Sequence, residues 1–269
     1  MHLIQRLRAV LGVLAALCLT GCFQIEQVLN VKADGSGTVV VSITMTKEMI
    51  GQLKSLASQN GGDGKETGSP IDGMLSEDEA KAHAKEMGEG VKLEKVEAIK
   101  GGKFEGKRAT YSFPDVSKLR LDVNLGDMNP QGGVTSPDKE KDALTFEFSK
   151  GSPATLVINA RHRKPAGKKP GQPEDPSEAA GFAMAQQFLK DTRFTVAVNF
   201  DGAITETDAA HRDGTRVIIA DIAFGELLKD PVKVKGLKNA ETWDEAMTLF
   251  KGIPGCRLEP KEKIQVKFQ

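Results

Sequence analysis

Between residues 24 and 46, QIEQVLNVKADGSGTVVVSITMT, apolar side chains recur at Ile25, Val28 and Val31, then alternate at Val39, Val41, Ile43 and Met45. Alternation with period two is the signature of a strand with one buried face. The intervening ADGSG supplies Asp and Gly for a tight turn, so this stretch predicts a β-hairpin. VKLEKVEAI and FEGKRATYSF read as two further strands. Val91, Leu93 and Val96 break strict alternation, which predicts a bulge or an edge position. Pro114 ends the second of these strands, and DVSKLRLDVNL predicts a short helical turn followed by a strand. ALTFEFSKG and ATLVINARH alternate well around a GSP turn and predict another hairpin. RFTVAVNFDGAITETDA and TRVIIADIAF predict a later one with HRDG as its turn, and KIQVKF is a final strand.

A period near 3.6 appears elsewhere. Met49, Ile50, Leu53 and Leu56 fall three to four residues apart, predicting a helix over 47–59. Ser76 and Glu79 form a capping box ahead of EDEAKAHAKEM, and Gly88 can end that polar, surface helix. Residues 178–192 predict the most amphipathic helix, with Phe182, Ala185, Phe188 and Leu189 on one side. NAETWDEAMTLFKG predicts another, with Trp243, Met247 and Phe250 on one face. NGGDGKETGSPIDG and GDMNPQGGVTSPDKEKD read as loops. KPAGKKPGQPEDPS, residues 164–177, reads as a long surface loop or linker. Strands adjacent in sequence pair as hairpins, so the expected class is α+β, an antiparallel sheet with helices packed on one face. The expectation is one domain over 22–269, with two lobes divided at 164–177 as the alternative.

Composition narrows the function. Lysine plus arginine and aspartate plus glutamate both number 37, so no basic excess draws the chain to nucleic acid. Aromatics are only 5%, with one Tyr and one Trp, which leaves little for base stacking.

Residues 1–21, MHLIQRLRAVLGVLAALCLTG, place Arg6 and Arg8 ahead of an uncharged run from Ala9 to Gly21. That run is shorter than the about 20 apolar residues that span a bilayer and fits the apolar region of a secretory signal peptide. Leu19-Thr20-Gly21-Cys22 resembles a bacterial lipobox. The resemblance implies that Cys22 receives a diacylglyceryl group, that a dedicated peptidase recognises Leu19, Thr20 and Gly21 and cuts before Cys22, and that Cys22 becomes an acylated first residue carrying palmitate-like chains. A buried N-terminal helix with incidental cysteines, a metal pair or a CxxxC redox pair are the alternatives. The next cysteine is Cys256, and the segment offers no acidic or histidine co-ligand. Phe23, following the cysteine, resembles lipoproteins sorted to the outer membrane. The localisation implied is a bacterial envelope, on the periplasmic face of the outer membrane where there are two membranes. Loss of residues 1–21 leaves 35 basic and 37 acidic residues, so bulk charge adds no second membrane anchor.

The lipobox, the VLNVKADGSGTVVVSITM hairpin and the later FTVAVNFDGAITETDAAHRDGTRVIIADI segment together resemble LppM-type bacterial lipoproteins. Asp201-Gly202 stands where those proteins carry Pro-Gly, the second strand lacks their Trp, and no C-terminal transmembrane helix follows. The resemblance implies an α+β envelope domain and assigns no catalytic residue.

Catalytic patterns do not emerge. GxSxG, HExxH, P-loop and EF-hand signatures are missing from the sequence, and His83, His162 and His211 have no second histidine or cysteine at helical or strand spacing. HRDG lacks the Gly-rich loop and DFG that a kinase would add. No cofactor, metal or catalytic residue is expected. The expected role is non-enzymatic: structural, or binding a lipid or envelope protein. A hydrophobic-ligand carrier, with Phe182, Phe188, Leu189, Trp243 and Phe250 lining an apolar pocket, and a periplasmic hydrolase are the rivals.

Overall fold

A computed structural model describes residues 23–59, 75–122, 143–160, 189, 191–240 and 242–269. The chain runs β1 (Phe23–Val31), β2 (Gly37–Thr46), α1 (Lys47–Gln59), α2 (Glu77–Met87), β3 (Lys92–Gly101), β4 (Phe104–Phe113), a 3-10 turn (Val116–Lys118) and β5 (Arg120–Asp122). It continues with β6 (Ala143–Ser149), β7 (Ala154–Ala160), β8 (Thr192–Phe200), β9 (Ile204–Thr207), β10 (Arg212–Asp213) and β11 (Arg216–Ala223). Helices α3 (Phe224–Leu228), α4 (Pro231–Asn239) and α5 (Trp243–Phe250) follow, then β12 (Arg257–Leu258) and β13 (Lys263–Phe268). The α+β class expected from the sequence is the class found. The predicted loops, the 164–177 stretch and nearly all of the predicted 178–192 helix lie outside the described residues.

The strands divide between two sheets. An eight-stranded sheet has the order β10-β11-β8-β1-β2-β4-β3, with β12 also on β11. A five-stranded sheet has the order β5-β6-β7-β13-β9. Each sheet joins strands from both sides of residues 164–177. The predicted hairpins β1–β2 and β6–β7 are antiparallel pairs, the two predicted strands β3 and β4 also pair antiparallel, and the predicted bulge falls between Leu93 and Lys95. One pairing has no hairpin behind it: β1 lies parallel to β8 from Phe23↔Thr192 to Val31↔Phe200.

Alternation puts one row of apolar residues across the larger sheet. Tyr111 faces Val39, Val39 faces Leu29, Leu29 faces Val198, and Val198 faces Val217. All are fully buried. The same core cluster takes Phe146, Leu156, Ile158, Ile264, Val266 and Phe268 from the smaller sheet. Phe200 of one sheet meets Phe268 of the other with ring centroids 4.7 Å apart, tilted by 59°. The inner face of the larger sheet is therefore covered by a second sheet. Each fully buried Val, Leu or Phe contributes about 1.5–3 kcal/mol.

Local signals hold the ends. In the β1–β2 turn the Asp34 carboxylate accepts from the Ser36 N–H at 2.9 Å and from its hydroxyl at 2.7 Å, which holds Asp34 below its ordinary pKa. The Ser76 hydroxyl accepts from the Glu79 N–H at 3.3 Å, and the Ser76 N–H donates to the Glu79 carboxylate at 2.8 Å. This closes the capping box at the start of α2. The helix is not wholly superficial: Ala80, Ala84 and Met87 form a buried stripe, while the rest faces water.

The chain crosses between sheets after β8. β8 pairs antiparallel with β11, as the sequence predicts, but β9 between them joins β13 in the smaller sheet. The crossing turns at Gly202, with φ 141°. The Ala203 N–H donates to the Gln269 carbonyl at 2.7 Å, and the Gln269 N–H returns a bond to the Ala203 carbonyl at 3.0 Å.

Two stability measurements test this packing. A Cβ on Gly202 would lie 2.3 Å from the Gln269 carbonyl oxygen, at a φ that L-residues rarely adopt. Gly202→Ala should lower the free energy of unfolding by about 2 kcal/mol, read as a shifted urea midpoint at constant slope. The Tyr111 hydroxyl is buried without a hydrogen-bond partner among the described residues, and burial pushes its pKa up to about 12. An unsatisfied buried hydroxyl costs about 1–3 kcal/mol, so Tyr111→Phe should raise the midpoint rather than lower it.

Candidate functional site

Among the described residues, the highest concentration of buried charge lies on the outer face of the larger sheet, where β8, β11 and β12 meet. β11 is an apolar strand, RVIIADIA, interrupted by Asp221. Register sets Asp221 opposite Thr195 on β8 and opposite Arg257 on β12. Only 2% of Asp221 is exposed. Arg193 grips it with both arms of its guanidinium: Nε donates to Oδ1 and NH2 to Oδ2, each at 2.7 Å. Arg257 approaches from the other side, with NH2 donating to Oδ2 at 2.9 Å, and its NH1 reaches out to Asp213 at 2.7 Å. The Thr195 hydroxyl adds a longer contact of 3.4 Å to Oδ1.

Burial pushes the Asp221 carboxyl up, but the hydrogen bonds and charges of Arg193 and Arg257 outweigh it and leave the pKa below its ordinary value. The carboxylate is thus held ionised, with two guanidinium groups already committed to it. Such a group clamps three strands and is not poised to exchange protons near neutral pH. Beside it, burial pushes the Cys256 thiol up, and its Sγ contacts the Ala223 carbonyl at 3.7 Å. A nucleophilic cysteine needs the opposite shift.

A second buried carboxylate sits nearby. Glu259 has no exposed surface. It accepts the Ala210 N–H at 2.8 Å and the Lys261 N–H at 3.3 Å, while its own N–H donates to the Ile219 carbonyl at 2.9 Å. His211 Nε2 lies 3.1 Å from the Leu258 carbonyl oxygen. These contacts fasten the 208–211 connection to β12. His211 precedes the β10–β11 turn, which closes through Gly214 at φ 61°, so HRDG is a hairpin turn as its sequence predicts.

The residues singled out in the sequence are dispersed. Leu19, Thr20, Gly21, Cys22, Phe182, Phe188 and His162 lie outside the described residues. Leu189 is half-buried, and His83 is exposed on α2. Trp243 and Phe250 are half-buried on α5, which packs on α4 and β12 and contributes neither residue to the two-sheet core. Among the described residues, no group of three or more His, Cys, Asp or Glu is placed to hold a metal ion. No helix among them is long and apolar enough to cross a membrane. Sequence reasoning did not find the Asp221 cluster. Its signal was a lone carboxylate inside an apolar strand.

Removing the carboxylate's charge leaves two part-exposed guanidinium groups without their charged partner, at about 1–3 kcal/mol. Asp221→Asn should therefore destabilise the protein by an amount in that range in chemical denaturation. Because the folded pKa is depressed, the unfolded chain binds the proton more tightly. The contribution of Asp221 is complete above the ordinary carboxyl value of 3.8 and is lost as the pH falls through the lower folded value. The stability difference between the wild type and Asp221→Asn should accordingly shrink in that acidic window and stay constant above it.

No known family profile matches the chain, and no curated protein matches it in sequence. Among solved structures, it is similar to the NMR structure of the folded domain of LppM from Mycobacterium tuberculosis. The two share 11% identity with a TM-score of 0.32, over 93% of this chain and 92% of that one.

Proposed function

We propose that the protein is a bacterial envelope lipoprotein, held by acyl chains on Cys22, with a non-enzymatic body that binds a lipid or a partner at the membrane. One observation carries this reading: the positively charged start, the apolar run and LTGC stand in order immediately ahead of the first strand. Each buried methylene contributes about 0.8 kcal/mol, and one chain alone binds marginally, so two or three chains on one residue make a stable anchor. The non-enzymatic part of the reading rests on the buried carboxylate of β11 and the thiol beside it. The Asp221 carboxylate is committed to two arginines, and the Cys256 thiol is pushed away from reactivity.

A carrier would need an apolar cavity, and the inner face of the larger sheet is already filled by residues of the smaller one. Contact through the protein surface is therefore favoured over enclosure of a ligand between the sheets.

The anchor is tested by expression of the full chain in a bacterial host. Labelled palmitate should enter the wild-type protein and be absent from Cys22→Ala, which should move from the membrane to the soluble fraction. Unchanged fractionation and labelling of Cys22→Ala would overturn the reading.

A further inference from the structure

The first residue after Cys22 is already locked into the sheet. Phe23 pairs with Met45 on one side and with Thr192 on the other, and its N–H donates to the Asp191 carbonyl at 3.2 Å. Neighbouring Cα atoms are about 3.8 Å apart, so an acylated Cys22 leaves no tether between the fold and the lipid. The end of the larger sheet that carries Phe23 must then sit at the bilayer surface.

The topology specifies what else lies at that end. β2 finishes there at Thr46 and leads into α1, and the β3–β4 turn is there too, with the Lys47 N–H donating to the Lys103 carbonyl at 3.0 Å. β11 also ends there: Ala223 pairs with Arg193, next to Thr192, and α3 begins at the following residue. α4 packs on α3 and α5.

The surface of α4 has the matching chemistry. Its sequence, PVKVKGLKN, holds three lysines and no acidic residue. Val232 in its first turn is 78% exposed, and it is the large hydrophobic residue that stands out to solvent among the described residues. Cationic side chains beside an exposed apolar one suit the boundary between anionic headgroups and acyl chains. At the opposite end, β1 leads into the polar Lys32–Ser36 turn. Nine residues of strand, at about 3.3 Å each, set that turn roughly 30 Å from Phe23.

We propose that this end of the sheet is a membrane-docking surface, on which Val232, Lys233 and Lys235 of α4, with Lys103 of the β3–β4 turn, rest in the headgroup layer of an anionic bilayer. The proposal rests on lipid attachment at Cys22, and its test separates the two.

Single cysteines at Val232, Lys103 or Ala33, in a Cys256→Ser background, would each carry an environment-sensitive fluorophore on the full-length, lipidated protein. The protein would be reconstituted in phosphatidylethanolamine–phosphatidylglycerol vesicles containing a headgroup-nitroxide lipid. Labels at 232 and 103 should lose most of their emission, and the label at 33 should keep it. Equal quenching at the three positions, or stronger quenching at 33, on protein that floats with the vesicles would overturn the docking surface and leave the anchor intact. Protein that fails to float and carries no acyl mass would overturn the anchor and the docking surface together.

Discussion

Strand β1 is paired along its whole length on both sides, antiparallel to β2 and parallel to β8. The parallel pairing brings together segments separated by more than 160 residues, and everything else in the larger sheet is arranged outward from it. A one-residue slip would turn Leu29 and Val31 out and Asn30 in. Side chains on the outer face oppose that slip. Asn199 Nδ2 donates to Asn30 Oδ1 at 3.0 Å, and Asn30 Nδ2 donates to Thr38 Oγ1 at 3.1 Å. The polar ladder and the apolar row on the other face agree on one register. The strand that follows Cys22 is thus among the best-held parts of the fold.

The Asp221 cluster does for the edge of that sheet what the asparagines do for its centre. β12 is only two residues long and has little ladder of its own. Arg257 ties it to β11 through Asp221 and to β10 through Asp213, while Arg193 brings in β8. A buried carboxylate is costly alone and tolerable here because charged donors meet both of its oxygens. The most heavily charged buried site in the described residues is therefore a joint, and it lies near the end of the sheet at which lipid attachment would hold the protein.

Local elements were legible in the sequence with little loss. The ADGSG turn, the capping box of Ser76 and Glu79, the bulge after Leu93 and the helix over 47–59 follow from short-range patterns, and each appears where the pattern places it. The pair α3 and α4 was not read. Its signals were present in Asp230, whose carboxylate accepts from the Val232 and Lys233 N–H groups, and in Pro231 at the first turn, but α3 is too short to show a period. The division into two sheets was also out of reach. β9 reads like part of a hairpin with β11, and only the crossing at Gly202 sends it to β13.

What the sequence determined by itself is a set of local conformations. Charge, apolar run and LTGC are contiguous, as are turns and caps, and contiguous signals need no knowledge of the rest of the chain. The tertiary structure decided which distant segments meet: β1 with β8, one sheet upon the other, and Arg193 and Arg257 around Asp221. Those choices depend on burial and charge pairing between residues far apart in sequence. Alternation shows that a strand has a buried face, but not what buries it.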